Sequence, residues 1–190
     1  SVSLFGVCLE LGYTIEQIKE TFDLQPLNLE KFSAFKFKKD KYLVFCMEAA
    51  NGRKGDLYRC WDEEKYFEIA HKCYKELGLK SIFIGTNTDI NIPSEKYLVD
   101  LRKKLNLYEL AAVLKDAKYY IGNDTGPLHI ANLMQTPSIG VYFREKSTTD
   151  FTPIFRDLNT PVLNPQSAEE VYLIFKEMFI QASSSSCFTH

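Results

Sequence analysis

The stretch Tyr119-Tyr120-Ile121-Gly122-Asn123-Asp124-Thr125-Gly126-Pro127-Leu128-His129-Ile130-Ala131 decides the fold. A short apolar run ends at Gly122 and a glycine-bearing turn follows. Pro127 then stands in what reads as a first helical turn, where a missing N–H costs nothing. Asp124 or Thr125 can cap that helix. The first backbone N–H groups of a helix lack intrahelical acceptors and carry the positive end of its dipole, so this junction suits an anion, a phosphate above all. Gly126 removes a Cβ from where a ligand approaches, Thr125 offers a hydroxyl, and His129 lies about one turn along on the same face. Asp124 is better suited to sugar hydroxyls than to phosphate. The same residues also fit an ordinary capped helix after a buried strand, with His129 a satisfied side chain.

Working upstream, Asn106 and Glu109 form a capping box that opens an Ala/Leu-rich helix to about Asp116. Ser81-Ile82-Phe83-Ile84-Gly85 reads as a strand, and a further short one is expected between Tyr97 and Leu101. Asp62 caps a helix whose buried stripe is Tyr66, Phe67, Ala70, Cys73, Tyr74 and Leu77, and Gly78 ends it. Tyr42-Leu43-Val44-Phe45-Cys46-Met47 is a continuous apolar run, as in a strand covered on both faces. Before it, residues 2–11 read as a helix closed by Gly12, and Thr14 with Gln17 starts a second helix reaching about Phe22. Downstream come a helix over 127–134, a strand from Ser138 to Tyr142, the run Pro161-Val162-Leu163, and a helix capped by Ser167 and Glu170 that extends to about Gln181.

Strands alternating with amphipathic helices imply βαβ units, and hence an α/β, doubly wound, Rossmann-like parallel sheet. Ligands of such sheets sit beyond the carboxyl ends of the strands, where the central turn meets the loops after Met47 and Gly85. The expected organisation is helices and a linker over 1–35, the α/β domain over 36–182, and a disordered tail over 183–190.

Composition fits a single globular domain: 190 residues, 45% hydrophobic, 14% aromatic, with a formal net charge of -2. That charge argues against nucleic acid, and Lys36-Phe37-Lys38-Lys39-Asp40-Lys41 is the one compact basic run. Cys8, Cys46, Cys60, Cys73 and Cys187 are odd in number and never paired as C-x-x-C, which fits a reducing, cytoplasmic compartment. Cys60, His71 and Cys73 lack ligand-pair spacing, and no metal is expected. No apolar stretch approaches membrane-spanning length.

The block Leu107-Tyr108-Glu109-Leu110-Ala111-Ala112-Val113-Leu114, together with Asn123-Asp124-Thr125-Gly126-Pro127-Leu128-His129-Ile130-Ala131, resembles the C-terminal half of glycosyltransferase family 9, the bacterial lipopolysaccharide heptosyltransferases. The likeness extends to Arg59-Cys60-Trp61 and to Thr136-Pro137-Ser138-Ile139-Gly140-Val141-Tyr142, and covers roughly residues 42–180. Members are two-domain GT-B enzymes that move heptose from ADP-heptose to the lipopolysaccharide inner core, with inversion and without a metal. The resemblance implies that Thr125, Gly126, His129 and Arg59 hold the donor diphosphate and that Asp124 meets the donor sugar. It further implies a nucleotide-sugar substrate and no cofactor, a lipid-linked or lipopolysaccharide-type acceptor, and a place at the inner face of the cytoplasmic membrane. By the same resemblance the helices over 1–35 are remnants of an N-terminal half, and the domain over 36–182 binds a nucleotide sugar. The carboxylate base is expected in an N-terminal half that this chain lacks, so the chain by itself is expected to be inactive.

The sequence departs from the family pattern in places. Glu48-Ala49-Ala50-Asn51 replaces a small turn, Asp62 stands for the usual Pro after Trp61, Asn87 stands where acidic ribose contacts occur and is the candidate nucleotide contact, and Phe143 replaces a Gly. Two other readings remain: a nucleotide-sugar-binding module without catalysis, and an aspartic protease built on Asp124-Thr125-Gly126. The protease would need two such carboxylates side by side in β-loops.

Overall fold

The computed structural model describes residues 11, 12, 14, 16, 17, 20, 37–48, 60–145, 147–150 and 153–185. In chain order these form β1 (Tyr42–Cys46), α1 (Glu63–Leu77), β2 (Lys80–Phe83), β3 (Leu98–Asp100), α2 (Leu107–Lys115), β4 (Tyr119–Asn123), α3 (Gly126–Leu133), β5 (Ser138–Tyr142), α4 (Ser147–Asp150), β6 (Asn159–Leu163) and α5 (Ala168–Ser185), with a 3₁₀ turn at Arg156–Leu158. Most of the expected helices before residue 35 lie outside the described residues. Within them, Thr14 and Gln17 do exchange the reciprocal capping bonds, at 2.9 and 3.2 Å, and Gly12 is left-handed at φ 86°. α5 continues to Ser185, beyond the expected end near Gln181.

All strand pairings are parallel, in the order β3-β2-β1-β4-β5-β6. The chain builds outward from β1 to β2 and β3, then returns to the other side of β1 for β4, β5 and β6. That is the doubly wound arrangement expected from the sequence. Side chains alternate along each strand. Leu43, Phe45, Phe83, Tyr119, Ile121, Ile139 and Val141 pack with Tyr66, Ile69 and Cys73 of α1 and with Val171, Tyr172 and Phe175 of α5. Tyr42, Val44, Ile82, Tyr120 and Tyr142 pack on the other face, with Val113 and Leu114 of α2 and Leu128 and Ala131 of α3. Burial on both faces is why β1 reads as an unbroken apolar run.

Local signals set the helix ends. Asp62 accepts from the Glu64 amide at 3.1 Å to start α1, and Gly78, at φ 67°, closes it. Asn106 and Glu109 complete a reciprocal capping box on α2. Ser167 accepts from the Glu170 amide at the start of α5. Pro161, which cannot donate to a ladder, sits on the edge strand β6. Among the described residues no helix is long and apolar enough to cross a membrane.

Candidate functional site

The winding of the sheet reverses between β1 and β4. In open parallel sheets the crevice beyond the carboxyl ends at such a point is where ligands bind. Here that crevice is bounded by Met47 and Glu48 after β1, Gly85 to Asn87 after β2, and Asn123 to Gly126 after β4. Gly122 lets the two central strands close up: a Cβ there would lie 2.7 Å from the Cys46 carbonyl oxygen and 2.5 Å from the Tyr120 hydroxyl.

α3 opens into this crevice and differs from its neighbours. α1, α2 and α5 are each capped by a side chain and carry glutamates in their first turns. α3 has no acid in its first turn, and its N-cap residue, Thr125, makes no side-chain capping bond. Of the two residues expected to cap α3, Asp124 or Thr125, it is Thr125 that occupies the N-cap position, but without a side-chain bond to the helix. Its hydroxyl is turned inward, 3.4 Å from the Asn123 carbonyl and 3.9 Å from the Cys46 sulfur. Pro127 has no N–H, and the Leu128 amide donates to the Thr125 carbonyl at 3.0 Å, which leaves the Gly126 amide at the mouth of the helix. Gly126 is exposed, and a Cβ there would meet nothing within 4 Å, so its lack of a side chain answers no steric demand of the protein itself.

Asp124 and His129 flank that mouth. Nε2 of His129 stands 4.0 Å from Oδ1 of Asp124, with side-chain exposures of 43% and 11%. Burial pushes the His129 pKa below the ordinary histidine value, and the Asp124 charge opposes that shift without reversing it. The imidazole is therefore neutral at neutral pH and can donate one hydrogen bond. A helix, not a second carboxylate loop, follows Asp124-Thr125-Gly126, which removes the geometry an aspartic protease requires.

Across the crevice, Glu48 reaches the turn after β2. Its carboxylate accepts from the Thr86 amide at 2.5 Å and from the Asn87 amide at 2.7 Å. Gly85 makes room for it: φ is 140°, and a Cβ would fall 2.5 Å from Oε1 of Glu48. The Asn87 side chain is used locally, accepting from the Asp89 amide at 2.8 Å. Behind the loop, buried Arg102 pairs with Asp100 at 2.8 Å and donates to the carbonyls of Ile90 and Asn87. The carboxylate that holds the turn after β2 is thus supplied by the segment following β1.

Thr125, Gly126, Asp124 and His129 are brought together at one helix start, and Asn87 lies across the crevice on the next loop but one. Arg59 lies outside the described residues. Of the cysteine and histidine residues weighed for a metal, Cys73 is buried in α1, and His71 Nδ1 pairs with the Tyr97 hydroxyl at 3.0 Å. A hollow of about 370 Å³ lined by Lys39, Lys115, Lys118, Gln135 and Pro137 lies at the opposite, amino end of the strands. The carboxyl-terminal ends of α2 and α3 border it, and the lysines offset those dipoles.

Sequence reasoning missed two residues. In the sequence Glu48 stands only as a departure from a small turn, and nothing local signals that its carboxylate spans to residues 86 and 87. Asn123 looks from the sequence like part of the turn, whereas it is the last residue of β4. Its signal was available, because Tyr119, Ile121 and Asn123 share one strand face, and a polar residue ending an otherwise apolar row calls for hydrogen-bond partners.

The model of glycosyltransferase family 9 (heptosyltransferase) matches residues 2–172. No curated protein matches the chain. Among solved structures, the chain is similar to the E. coli ADP-heptose LPS heptosyltransferase II, with a TM-score of 0.65 at 17% identity, over 90% of this chain and 54% of that one. The E. coli heptosyltransferase WaaC, solved with ADP, gives 0.63 at 18%, over 90% and 54%. A glycosyl transferase family 9 protein from Veillonella parvula gives 0.55 at 20%, over 83% and 43%. The chain therefore spans about half the length of the first two of these structures, and at these identities the likeness establishes the fold.

Proposed function

The chain belongs to glycosyltransferase family 9, and from that premise we propose that it is the donor-binding part of an enzyme moving a heptose-like sugar from an ADP-linked donor to a lipopolysaccharide core or related glycan. The observation that carries this reading is the open start of α3. It is the one long helix among the described residues with neither a side-chain cap nor an acid in its first turn, and it begins at the reversal of the sheet. A diphosphate at that place would gain the Gly126 amide, the helix dipole and an imidazole N–H of His129 as donors. Arg59 is proposed as the cation that joins them, and Thr125 as the residue that sets the first turn.

The chemistry asks for such a site. As the glycosidic bond breaks, the leaving diphosphate gains charge, and donors already fixed around it favour departure without reorganisation. A charge-assisted hydrogen bond is worth roughly 1.5–3 kcal/mol, and the helix dipole about 0.3–1 kcal/mol more. Asp124, beside the mouth and already facing His129, is proposed to meet the donor sugar. Asn87 and the Glu48 carboxylate bound to its amide are proposed to face the nucleoside, Glu48 taking the place of the missing acidic residue. Transfer is proposed to proceed with inversion and without a metal, at the cytoplasmic face of the inner membrane. No donor-site residue is proposed as the base that takes the acceptor's proton.

The E. coli relatives carry ADP or ADP-heptose in their names, which supports the choice of base. Calorimetric titration with ADP-heptose and with a UDP-linked sugar, followed by a transfer assay on a heptose-deficient lipopolysaccharide core, tests the reading. Binding of the ADP-linked donor in preference to the UDP-linked one supports it. Equal indifference to both donors would remove it.

A further inference from the structure

Asn123 is fully buried, ends β4, and immediately precedes Asp124-Thr125-Gly126. The strand alternation that turns Tyr119 and Ile121 toward α1 turns Asn123 the same way, so the carboxamide enters the layer between β1 and α1. Three different segments meet it there. Nδ2 donates to the Met47 carbonyl at 2.6 Å, across the reversal of the sheet. Oδ1 accepts from the Trp61 amide at 3.3 Å and from the Tyr66 hydroxyl at 2.8 Å. The orientation is forced, because a carbonyl can only accept and a peptide N–H can only donate, so a flipped amide would lose two of these bonds.

Met47 immediately follows β1, Trp61 immediately precedes the cap of α1, and Tyr66 lies within that helix. One side chain therefore joins the end of β1 and the start of α1 to the residue from which the turn into α3 departs. The neighbours are fixed in turn: the Trp61 indole donates to the Pro165 carbonyl at 3.2 Å, and its ring meets Tyr66 edge-on at 5.2 Å. The two helix starts on either side of the crevice are thus held in one relation, although only that of α3 is open.

We propose that Asn123 is a positioning residue for the diphosphate turn: its carboxamide fixes where Asp124, Thr125 and Gly126 stand relative to β1 and α1. The proposal rests on the donor-site reading, and it predicts a loss in phosphate recognition beyond what a loss of stability would bring. Asn123→Asp is the sharper variant. Ionised, it keeps an acceptor for Trp61 and Tyr66 and sets an oxygen against the Met47 carbonyl, which breaks the link to β1. Burial favours the protonated acid, whose O–H can still donate to that carbonyl, so all variants are compared at mildly alkaline pH. Tyr66→Phe removes one bond on the α1 side alone.

The test compares the wild-type chain, Asn123→Asp, Tyr66→Phe and Val113→Ala, the last a core change on the opposite face of the sheet. Each is titrated with ADP and with adenosine under conditions where circular dichroism shows it folded, and ¹⁵N relaxation is recorded without ligand. Asn123→Asp is expected to weaken ADP about tenfold to a hundredfold, the scale of a small misplacement of binding groups, and to leave adenosine unchanged. Backbone order parameters of Asp124 to Gly126 fall in that variant and in neither Val113→Ala nor the wild type, and Tyr66→Phe falls between. Unchanged order parameters at 124–126, or an equal loss of ADP affinity in Val113→Ala, would overturn the proposal. Failure of the wild-type chain to bind ADP would instead sink the donor-site reading, while the ligand-free relaxation data would still decide what Asn123 does.

Discussion

Oε2 of Glu48 accepts a hydrogen bond from the Asn87 amide at 2.7 Å, so one carboxylate holds the end of β1 against the turn that follows β2. Its other oxygen takes the Thr86 amide, and Gly85 supplies the space. Glu48→Ala leaves both amides to water and should cost about 1–3 kcal/mol, the range for losing hydrogen bonds to a charged group. Glu48→Gln, which keeps one acceptor, should cost less. Chemical denaturation, with hydrogen exchange at residues 85–92, measures both. Unaltered exchange in Glu48→Ala would show that the contact does not hold this loop.

Two glycines four residues apart should behave in opposite ways. Gly122→Ala puts a methyl 2.7 Å from the Cys46 carbonyl, between paired strands that cannot separate cheaply, and should destabilise by about 1–3 kcal/mol or more. Gly126→Ala meets open space and should leave stability within about 0.5 kcal/mol, as for an ordinary surface change. It should nevertheless weaken ADP, since the methyl enters the space proposed for phosphate. A Gly126→Ala variant that binds ADP like the wild type would count against that placement.

His129 should titrate below the ordinary histidine value of 6.5, because burial outweighs the attraction of Asp124. For a depressed histidine the unfolded state binds more protons between the folded pKa and 6.5. The associated stability is therefore complete above pH 6.5 and is lost as the pH falls through that window. Proton NMR of the imidazole gives the titration directly. Asp124→Asn removes the opposing charge and should move it lower still; an upward move would mean that the pair is coupled differently.

Thiol reactivity should separate the described cysteines. Cys46 is fully buried at the end of β1, and burial pushes its thiol up to about 12, while Cys73 is likewise buried and raised. The thiolate is the reactive form, so both should resist iodoacetamide in the native protein, whereas the partly exposed Cys60 reacts. Peptide mass spectrometry before and after unfolding reads this, and early labelling of Cys46 would contradict the packing.

Much of this fold was legible in the sequence because its signals are local. Asp62 with Gly78, and Asn106 with Glu109, mark helix ends through bonds spanning two to five residues, and the apolar run 42–46 announces a strand buried on both faces. The turn at 122–126 could be placed for the same reason. What escaped depends on contacts distant along the chain. Glu48 finds Thr86 and Asn87 nearly forty positions away, and Asn123 reaches Met47 and Trp61. Thr125 stands at the N-cap of α3, one of the two places the sequence offers, but makes no side-chain capping bond because its hydroxyl turns to Asn123 and Cys46. The short helix Ser147–Asp150 and the turn Arg156–Leu158 went unread because neither has a periodic apolar face, and part of their neighbourhood is held from elsewhere: Asn132 of α3 exchanges two hydrogen bonds with the Phe155 backbone, at 2.7 and 2.8 Å.

The central claim is that the uncapped start of α3 holds the diphosphate of the donor, and ¹H–¹⁵N correlation spectra of the chain titrated with adenosine, AMP and ADP test it most directly. The amides of Thr125 and Gly126 are predicted to shift strongly with ADP and to stay in place with adenosine, because only the phosphates reach them. Saturable ADP binding whose shifts bypass residues 124–129 would contradict the claim and place the nucleotide elsewhere on the sheet.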